Sequence, residues 1–171
     1  MDILEIILQV FSVIFGIYNA FAHKKSHVLI SIFVYNILNL ALMFIIKDYS
    51  TFYLSLLLTI RSIVYLFQNK LKKYKWSIII PISIIVGHVV ITLTTMTHWY
   101  QLLPLVAVVS VAAILWFSKN RQAIRIDFAL SDFLWLVYSA IMGLYISCIS
   151  RVIMIAASLI AFYNNRHVQE E

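Results

Sequence analysis

Charged side chains are scarce in this sequence, since Asp, Glu, Lys and Arg together make up only 12% of its 171 residues. A water-soluble domain usually carries about twice that share. Hydrophobic residues reach 63%, and a chain of this length has no core large enough to bury them all. The sequence therefore predicts that lipid surrounds most of the protein.

Glycine and cysteine are rare as well. There are three glycines, although glycine is normally frequent in transmembrane helices, and this argues against a fold that moves on glycine hinges. The single cysteine, Cys148, excludes an internal disulfide and any metal cluster built from cysteine ligands.

Long apolar runs, in contrast, fill the chain. A helix needs about 17–25 apolar residues to span a bilayer, and seven segments reach or approach that length. They are Ile3–Phe21, Val28–Ile46, Thr51–Phe67, Trp76–Thr95, Leu102–Phe117, Ile126–Gly143 and Tyr145–Tyr163. We therefore predict an all-α integral membrane protein with seven transmembrane helices that form a single membrane domain over residues 1–171.

The cations between these segments alternate along the chain. In the loops after the second, fourth and sixth segments, Lys47 is the only Lys or Arg. The loops after the first, third and fifth segments are basic, and Arg166 follows the seventh segment. Cytoplasmic loops carry an excess of Lys and Arg, so the N-terminus is predicted outside and the C-terminus inside. The net charge of +6 thus reports orientation, and we expect no nucleic-acid partner. The cations of the odd loops are Lys24, Lys25, Lys70, Lys72, Lys73, Lys75, Lys119, Arg121 and Arg125.

The sequence also repeats itself weakly. A shift of about 96 positions places Phe21 on Phe117 and Leu38 on Leu134. Such identities between apolar stretches are as compatible with chance as with duplication, but the predicted topology supports duplication, because two like-oriented triplets need one helix between them. We predict a 3+1+3 parallel repeat, with repeat one over about 3–68, a linker helix over about 76–95 and repeat two over about 102–163.

Several stretches, together with this layout and length, resemble the YgjV-type bacterial inner-membrane family within the SWEET, PQ-loop and PnuC transporter superfamily. The resemblance implies a transporter fold in the bacterial inner membrane and names no substrate. The stretches are Leu57-Leu58-Thr59-Ile60-Arg61-Ser62, His98-Trp99-Tyr100-Gln101-Leu102-Leu103-Pro104, Trp135 and Ile160-Ala161-Phe162-Tyr163-Asn164-Asn165-Arg166.

The prolines depart from the pattern of that superfamily. Its better-known members carry a Pro-Gln motif or a set of prolines that act as hinges in the repeat helices. This chain has only Pro81, in the linker segment, and Pro104, at the start of the fifth segment. The rocking mechanism proposed for the sugar transporters therefore cannot be transferred residue by residue.

Two pairs of side chains stand out inside the predicted spans. Asn36 and Asn39 correspond, under the shift, to Asp132 and Trp135, and the i, i+3 spacing puts each pair on one helix face. In the resembled superfamily, Asn and Trp near this depth contact the substrate. Amides bind a small polar solute by hydrogen bonds and an indole stacks on it. The alternative is that the asparagines only join neighbouring helices.

Ionisable groups at bilayer depth are costly unless they meet a partner or a cavity. Arg61 and Asp132 are the expected ion pair, with Arg151 as competitor and Glu5 as a further partner for Arg151. One interpretation is that these ion pairs only stabilise helix packing. Another is that one arginine stays available for an anionic group of a transported solute. A third, for Arg151, is that its side chain extends to the outer lipid headgroups. His88 is a candidate for proton coupling or, alternatively, a satisfied structural residue.

Motifs of known catalytic sites are missing. The sequence has no glycine-rich phosphate loop, no His-Glu-x-x-His zinc helix and no Gly-x-Ser-x-Gly turn, which are the arrangements that phosphate, metal and acyl chemistry require. We expect no enzyme activity, no metal and no cofactor.

These patterns predict a small secondary transporter or facilitator for a small polar solute that is sugar-like or vitamin- or nucleoside-like. The solute would bind near the midplane between the repeats, at Asn36, Asn39, Asp132 and Trp135, with Arg61 orienting Asp132 or neutralising an anion and with Arg151 as a weaker contact. The alternative is a non-transporting accessory, sensor or immunity protein that reuses the fold with a closed interior.

Small residues spaced i, i+4 favour close helix contact in lipid. The sequence has two such pairs, Ala157 with Ala161 and Ser139 with Gly143. They are predicted either to pack the repeats together or to form the face of a homo-oligomer.

Overall fold

The computed structural model describes residues 3–22, 24–45 and 49–164, and these ranges form helices joined by short turns. Short 3-10 helices over Lys75–Ile78 and Trp99–Gln101 precede the fifth and sixth helices. The all-α fold class is thereby confirmed for the described part of the chain. The helices are α1 Ile3–Phe21, α2 Lys25–Ile45, α3 Tyr49–Leu66, α4 Gln68–Leu71, α5 Ile79–Thr95, α6 Leu102–Phe117, α7 Arg121–Ile141 and α8 Tyr145–Asn164.

Some residues used in the predictions lie outside these ranges. They are Ile46 and Lys47 after α2 and Asn165 and Arg166 after α8. The side chain of Glu5, considered above as a partner for Arg151, is also outside the described set.

Within the described ranges, four helical segments are long and apolar enough to cross a membrane, namely Lys25–Ile45, Lys75–Thr95, Trp99–Phe117 and Ser147–Asn164. Two shorter segments, Ile6–Phe21 and Phe52–Leu66, are also apolar. Helices of this length and hydropathy identify an integral membrane protein.

The third helix shows how the side chains are distributed. Its exposed face is apolar, whereas its buried face is mainly polar. This distribution is unfavourable in water, where a large apolar surface promotes association, and it is favourable in lipid. The exposed residues include Leu56, Ile60 and Ile63, and the buried ones are Ser55, Thr59, Arg61, Ser62 and Tyr65.

The chain divides into two compact units, Met1–Ile91 and Thr92–Glu171, and the boundary lies within α5. In the first unit α2 packs against both α1 and α3, and in the second unit α7 packs against both α6 and α8. Asn36 on α2 and Asp132 on α7 therefore each lie on a helix that has neighbours on two sides.

Helix α7, which corresponds to the sixth predicted segment, begins earlier than predicted, at Arg121 rather than at Ile126. The reason is the N-cap Asn120, whose Oδ1 accepts hydrogen bonds from the backbone N–H groups of the second and third helical residues, at 2.8 and 3.2 Å. Such a cap satisfies the exposed amides of a first turn. Arg121 and Arg125, which we assigned to a loop, are therefore helical and buried.

The turn between α7 and α8 is a Schellman motif. The N–H of Leu144 donates to the Ser139 carbonyl at 2.9 Å, and the N–H of Gly143 donates to the Ala140 carbonyl at 3.1 Å. Gly143 has φ of +71°, a conformation that favours glycine at the end of a helix.

The two small-residue pairs differ in burial. Gly143 is exposed and serves the turn, so its burial does not support packing with Ser139 inside the protein, and a role in the face of a homo-oligomer stays a prediction. Ser139, Ala157 and Ala161 are buried, at 3%, 7% and 0% exposure, as close helix contact requires.

Candidate functional site

An ion pair joins α7 to α8 inside the second unit. The Nη1 atom of Arg151 donates to Oδ1 of Asp132 at 2.8 Å. The two side chains are 18% and 8% exposed, respectively, so the charges are largely removed from solvent and depend on each other. The sequence analysis expected Arg61 as the partner of Asp132, with Arg151 as competitor, and the structure corrects this, because α8 packs against α7 and brings Arg151 to the carboxylate.

An indole ring lies against the same arginine. Trp135 follows Asp132 by one turn of α7, and the guanidinium carbon of Arg151 lies 5.1 Å from its ring centroid, which is within the range of a cation–π contact. Asp132, Trp135 and Arg151 thus form one group, called here the ion-pair cluster.

Further aromatic rings extend this cluster. Trp135 meets Tyr138 edge-on with a centroid distance of 5.8 Å, and Tyr138 lies 6.1 Å from Tyr100. His98 stacks on Tyr100 at 5.1 Å. An almost continuous series of rings therefore leads from the ion pair to the 3-10 helix before α6.

The ion-pair cluster offers three kinds of contact within a few ångströms. A guanidinium donates charge-assisted hydrogen bonds to carboxylates, phosphates and hydroxyls. A carboxylate accepts from hydroxyl and amine groups, and an indole packs on flat apolar faces. Together they suit a small solute that has a flat face and polar edges.

The two asparagines of α2 play different parts in the first unit. Asn36 is buried, and its Nδ2 donates to Ser62 Oγ at 2.6 Å and to the Leu58 carbonyl at 3.2 Å, both on α3. Asn39 is half-buried, and its Nδ2 donates to the Tyr35 carbonyl of its own helix at 2.9 Å. Asn36 therefore joins two helices, as the packing interpretation requires, and contact of either residue with a solute stays a prediction.

This difference predicts unequal effects on stability. Replacing Asn36 by Ala removes hydrogen bonds between helices and is expected to cost about 0.6–1.7 kcal/mol. Replacing Asn39 by Ala removes only a bond within one helix, and we expect a change below about 0.5 kcal/mol. Thermal unfolding of both variants in nanodiscs checks the order, and an equal loss in both would contradict it.

A second group of buried polar residues lies where α3 and α5 approach each other. Arg61 on α3 and His88 on α5 are 4% and 1% exposed. The Leu57 side chain of α3 reaches α5 at Gly87, where an added Cβ would lie 3.4 Å from Leu57 Cδ2. Arg61 acts electrostatically on both His88 and Tyr65, so these three groups share one environment.

The sequence interpretation missed several buried polar residues. Tyr65 and Gln68 are 1% and 3% exposed, and Arg121 and Arg125 are 9% and 4% exposed. The arginines were missed because α7 was predicted to start too late. Asn120 was the available signal, because Asn is a preferred N-cap residue and a helical run follows it.

Comparison with known proteins gives a family. No curated protein and no solved structure matches the chain. The family model Imp-YgjV, described as a bacterial inner membrane protein, matches residues 3–169. The match covers nearly the whole chain and agrees with the membrane-length helices found here. The predicted inner-membrane location is thereby confirmed, and the chain belongs to the Imp-YgjV family of bacterial inner membrane proteins.

Proposed function

We propose that this protein is a small secondary transporter or facilitator that moves a small polar solute across the bacterial inner membrane. The ion-pair cluster carries the proposal, because it brings opposite charges and an indole face together on two adjoining helices of a membrane protein. Charged residues at membrane depth commonly belong to solute or ion pathways. The proposal includes no enzymatic step, no metal and no cofactor.

The chemistry of the cluster points to the class of solute. Arg151 favours a carboxylate, phosphate or hydroxyl, Asp132 accepts from hydroxyl or amine donors, and Trp135 packs on a sugar or a planar ring. A solute that competes for these contacts would loosen the ion pair as it binds. A sugar, a nucleoside or a vitamin with both features fits this description.

The proposal also includes the topology, with seven spans in a 3+1+3 parallel repeat, the N-terminus outside and a relation to the SWEET, PQ-loop and PnuC transporters. Its support is that α1 to α3, α5 and α6 to α8 each overlap one of the seven apolar segments of the sequence. In this proposal α7 spans the membrane despite its charged residues, since Asp132 is paired with Arg151.

A second candidate is a non-transporting accessory, sensor or immunity protein. The observation in its favour is that Asn36 and Asp132 already use their polar groups within the protein. An interior filled in this way locks helices together, and it leaves a solute fewer groups to bind.

Solute-induced thermal stabilisation separates the two candidates. We expect at least one member of a panel of sugars, nucleosides and vitamins to raise the unfolding temperature, since a ligand at 100 times its Kd stabilises by about 2.7 kcal/mol. The shift should be lost in Trp135→Ala. It should persist in Phe133→Ala, a control on the same helix whose side chain is 54% exposed. No shift with any solute, or an equal shift in Trp135→Ala, would favour the accessory protein.

A further inference from the structure

The imidazole of His88 lies on the enclosed face of α5. Pro81 and Ile84 share this face and are buried, whereas Ile82 and Val86 on the other side are 50% and 52% exposed. His88 itself is only 1% exposed. Its ring therefore belongs to the interior of the first unit and not to the lipid surface.

Both ring nitrogens of His88 are without a hydrogen-bond partner among the described residues, and both are inaccessible to solvent. A neutral imidazole has one N–H donor and one acceptor nitrogen. Buried polar groups are almost always hydrogen-bonded, to protein or to ordered water. The two ring nitrogens are therefore the atoms of this enclosed face to which a small polar molecule would bind by hydrogen bonds.

The neighbourhood limits what the guest is. Arg61 brings a positive charge into the same environment, which opposes a metal cation. The described residues also offer no group of three or more His, Cys, Asp or Glu that would hold one. An anion offers only acceptors, so it would serve the donor nitrogen and not the other. A hydroxyl both donates and accepts, so it suits either nitrogen in either tautomer.

We propose that His88 is a binding position for a hydroxyl group, supplied by water or by a polyol solute, on the enclosed face of α5. The Leu57 side chain of α3 reaches α5 at the neighbouring Gly87, and the charge of the buried Arg61 acts on the imidazole, so the surroundings are polar, as a bound hydroxyl needs. The polyol source rests on the proposed transport function, whereas the water source does not.

Two substitutions of His88 test the proposal through stability. His88→Leu keeps an apolar side chain of similar bulk but cannot bind a hydroxyl, and we expect its unfolding temperature in nanodiscs to fall by about 3 °C or more. His88→Gln retains a donor and an acceptor, so it should lie closer to the wild type. If the nitrogens truly have no partner, His88→Leu removes two unpaired polar atoms and should raise the unfolding temperature, which would overturn the proposal.

Solid-state NMR of the wild-type protein in bilayers gives a readout that does not depend on a variant's stability. With ¹⁵N-labelled histidine, the ring signals of His88 should receive magnetisation from water protons, and they are assigned by their loss in His88→Gln. If adding a polyol from the panel abolishes this transfer, the polyol supplies the hydroxyl group at His88. If the transfer persists, water supplies it. Absence of water transfer together with unchanged ring shifts in every polyol would contradict the proposal. Water transfer at His88 combined with no thermal shift from any solute would leave this site standing and refute transport.

Discussion

Replacing Asp132 by Asn is expected to lower the free energy of unfolding by about 3–5 kcal/mol, since breaking a buried ion pair leaves one charge uncompensated. The carboxylate accepts from Arg151 at 2.8 Å, and the side chain of Arg151 is only 18% exposed. Asn keeps the shape of Asp132 but not its charge, so the change isolates the electrostatic part. Equilibrium unfolding in nanodiscs measures it.

The double variant Asp132→Asn/Arg151→Gln provides the control. It removes both charges together, and we expect it to recover much of the stability that the single variant loses, because neutral replacements of a buried pair are often tolerated. The coupling energy follows from the double-mutant cycle. A single variant within about 0.5 kcal/mol of the wild type, or strict additivity in the cycle, would show that the pair contributes little.

The second large effect that we expect is a loss of stability when a small buried residue of α8, the helix that packs against α7, is replaced by a larger one. Ala161 on α8 is 0% exposed, and small residues let helices approach closely in lipid. Ala161→Leu should therefore cost about 1–3 kcal/mol through overpacking. Thermal unfolding measures the loss.

The same helix supplies a matched control. Ala156 is exposed, so Ala156→Leu adds the same atoms toward the lipid side and should leave stability within about 0.5 kcal/mol of the wild type. Equal effects of the two substitutions would mean that the buried face of α8 is not tightly packed.

The ends of the helices follow closely from the sequence, because uninterrupted apolar runs determine where a membrane helix begins and ends. The prediction for α6, Leu102–Phe117, agrees with the structure at both ends, and that for α1 agrees at its C-terminal end, Phe21. The prediction failed at the start of α7, where polar residues continue the helix outside the apolar run and Asn120 caps it.

The partners of the polar side chains were harder to predict. The sequence brought Asp132 and Trp135 together, since i, i+3 spacing fixes neighbours within a helix. It favoured Arg61 as the partner of Asp132, with Arg151 as competitor, whereas the structure pairs Asp132 with Arg151. The choice depends on how helices rotate and pack, which the sequence pattern does not give. Asn36 and Asn39 looked equivalent for the same reason, and packing against α3 distinguishes them. The sequence also did not predict that both ring nitrogens of His88 are enclosed without a hydrogen-bond partner among the described residues. This depends on which helices surround the ring, and no local sequence pattern gives that.

In the function proposed above, the ion-pair cluster serves the passage of a small polar solute across the membrane. Uptake of radiolabelled sugars, nucleosides and vitamins into proteoliposomes measures this passage, with Trp135→Ala and Phe133→Ala proteins reconstituted at equal density. We expect the wild type and Phe133→Ala to admit at least one solute above the level of empty liposomes, and Trp135→Ala to admit it at least about tenfold more slowly, as the loss of about 1.4 kcal/mol of interaction would give. Uptake that equals the empty liposomes for every solute, or that is unchanged in Trp135→Ala, would contradict the claim.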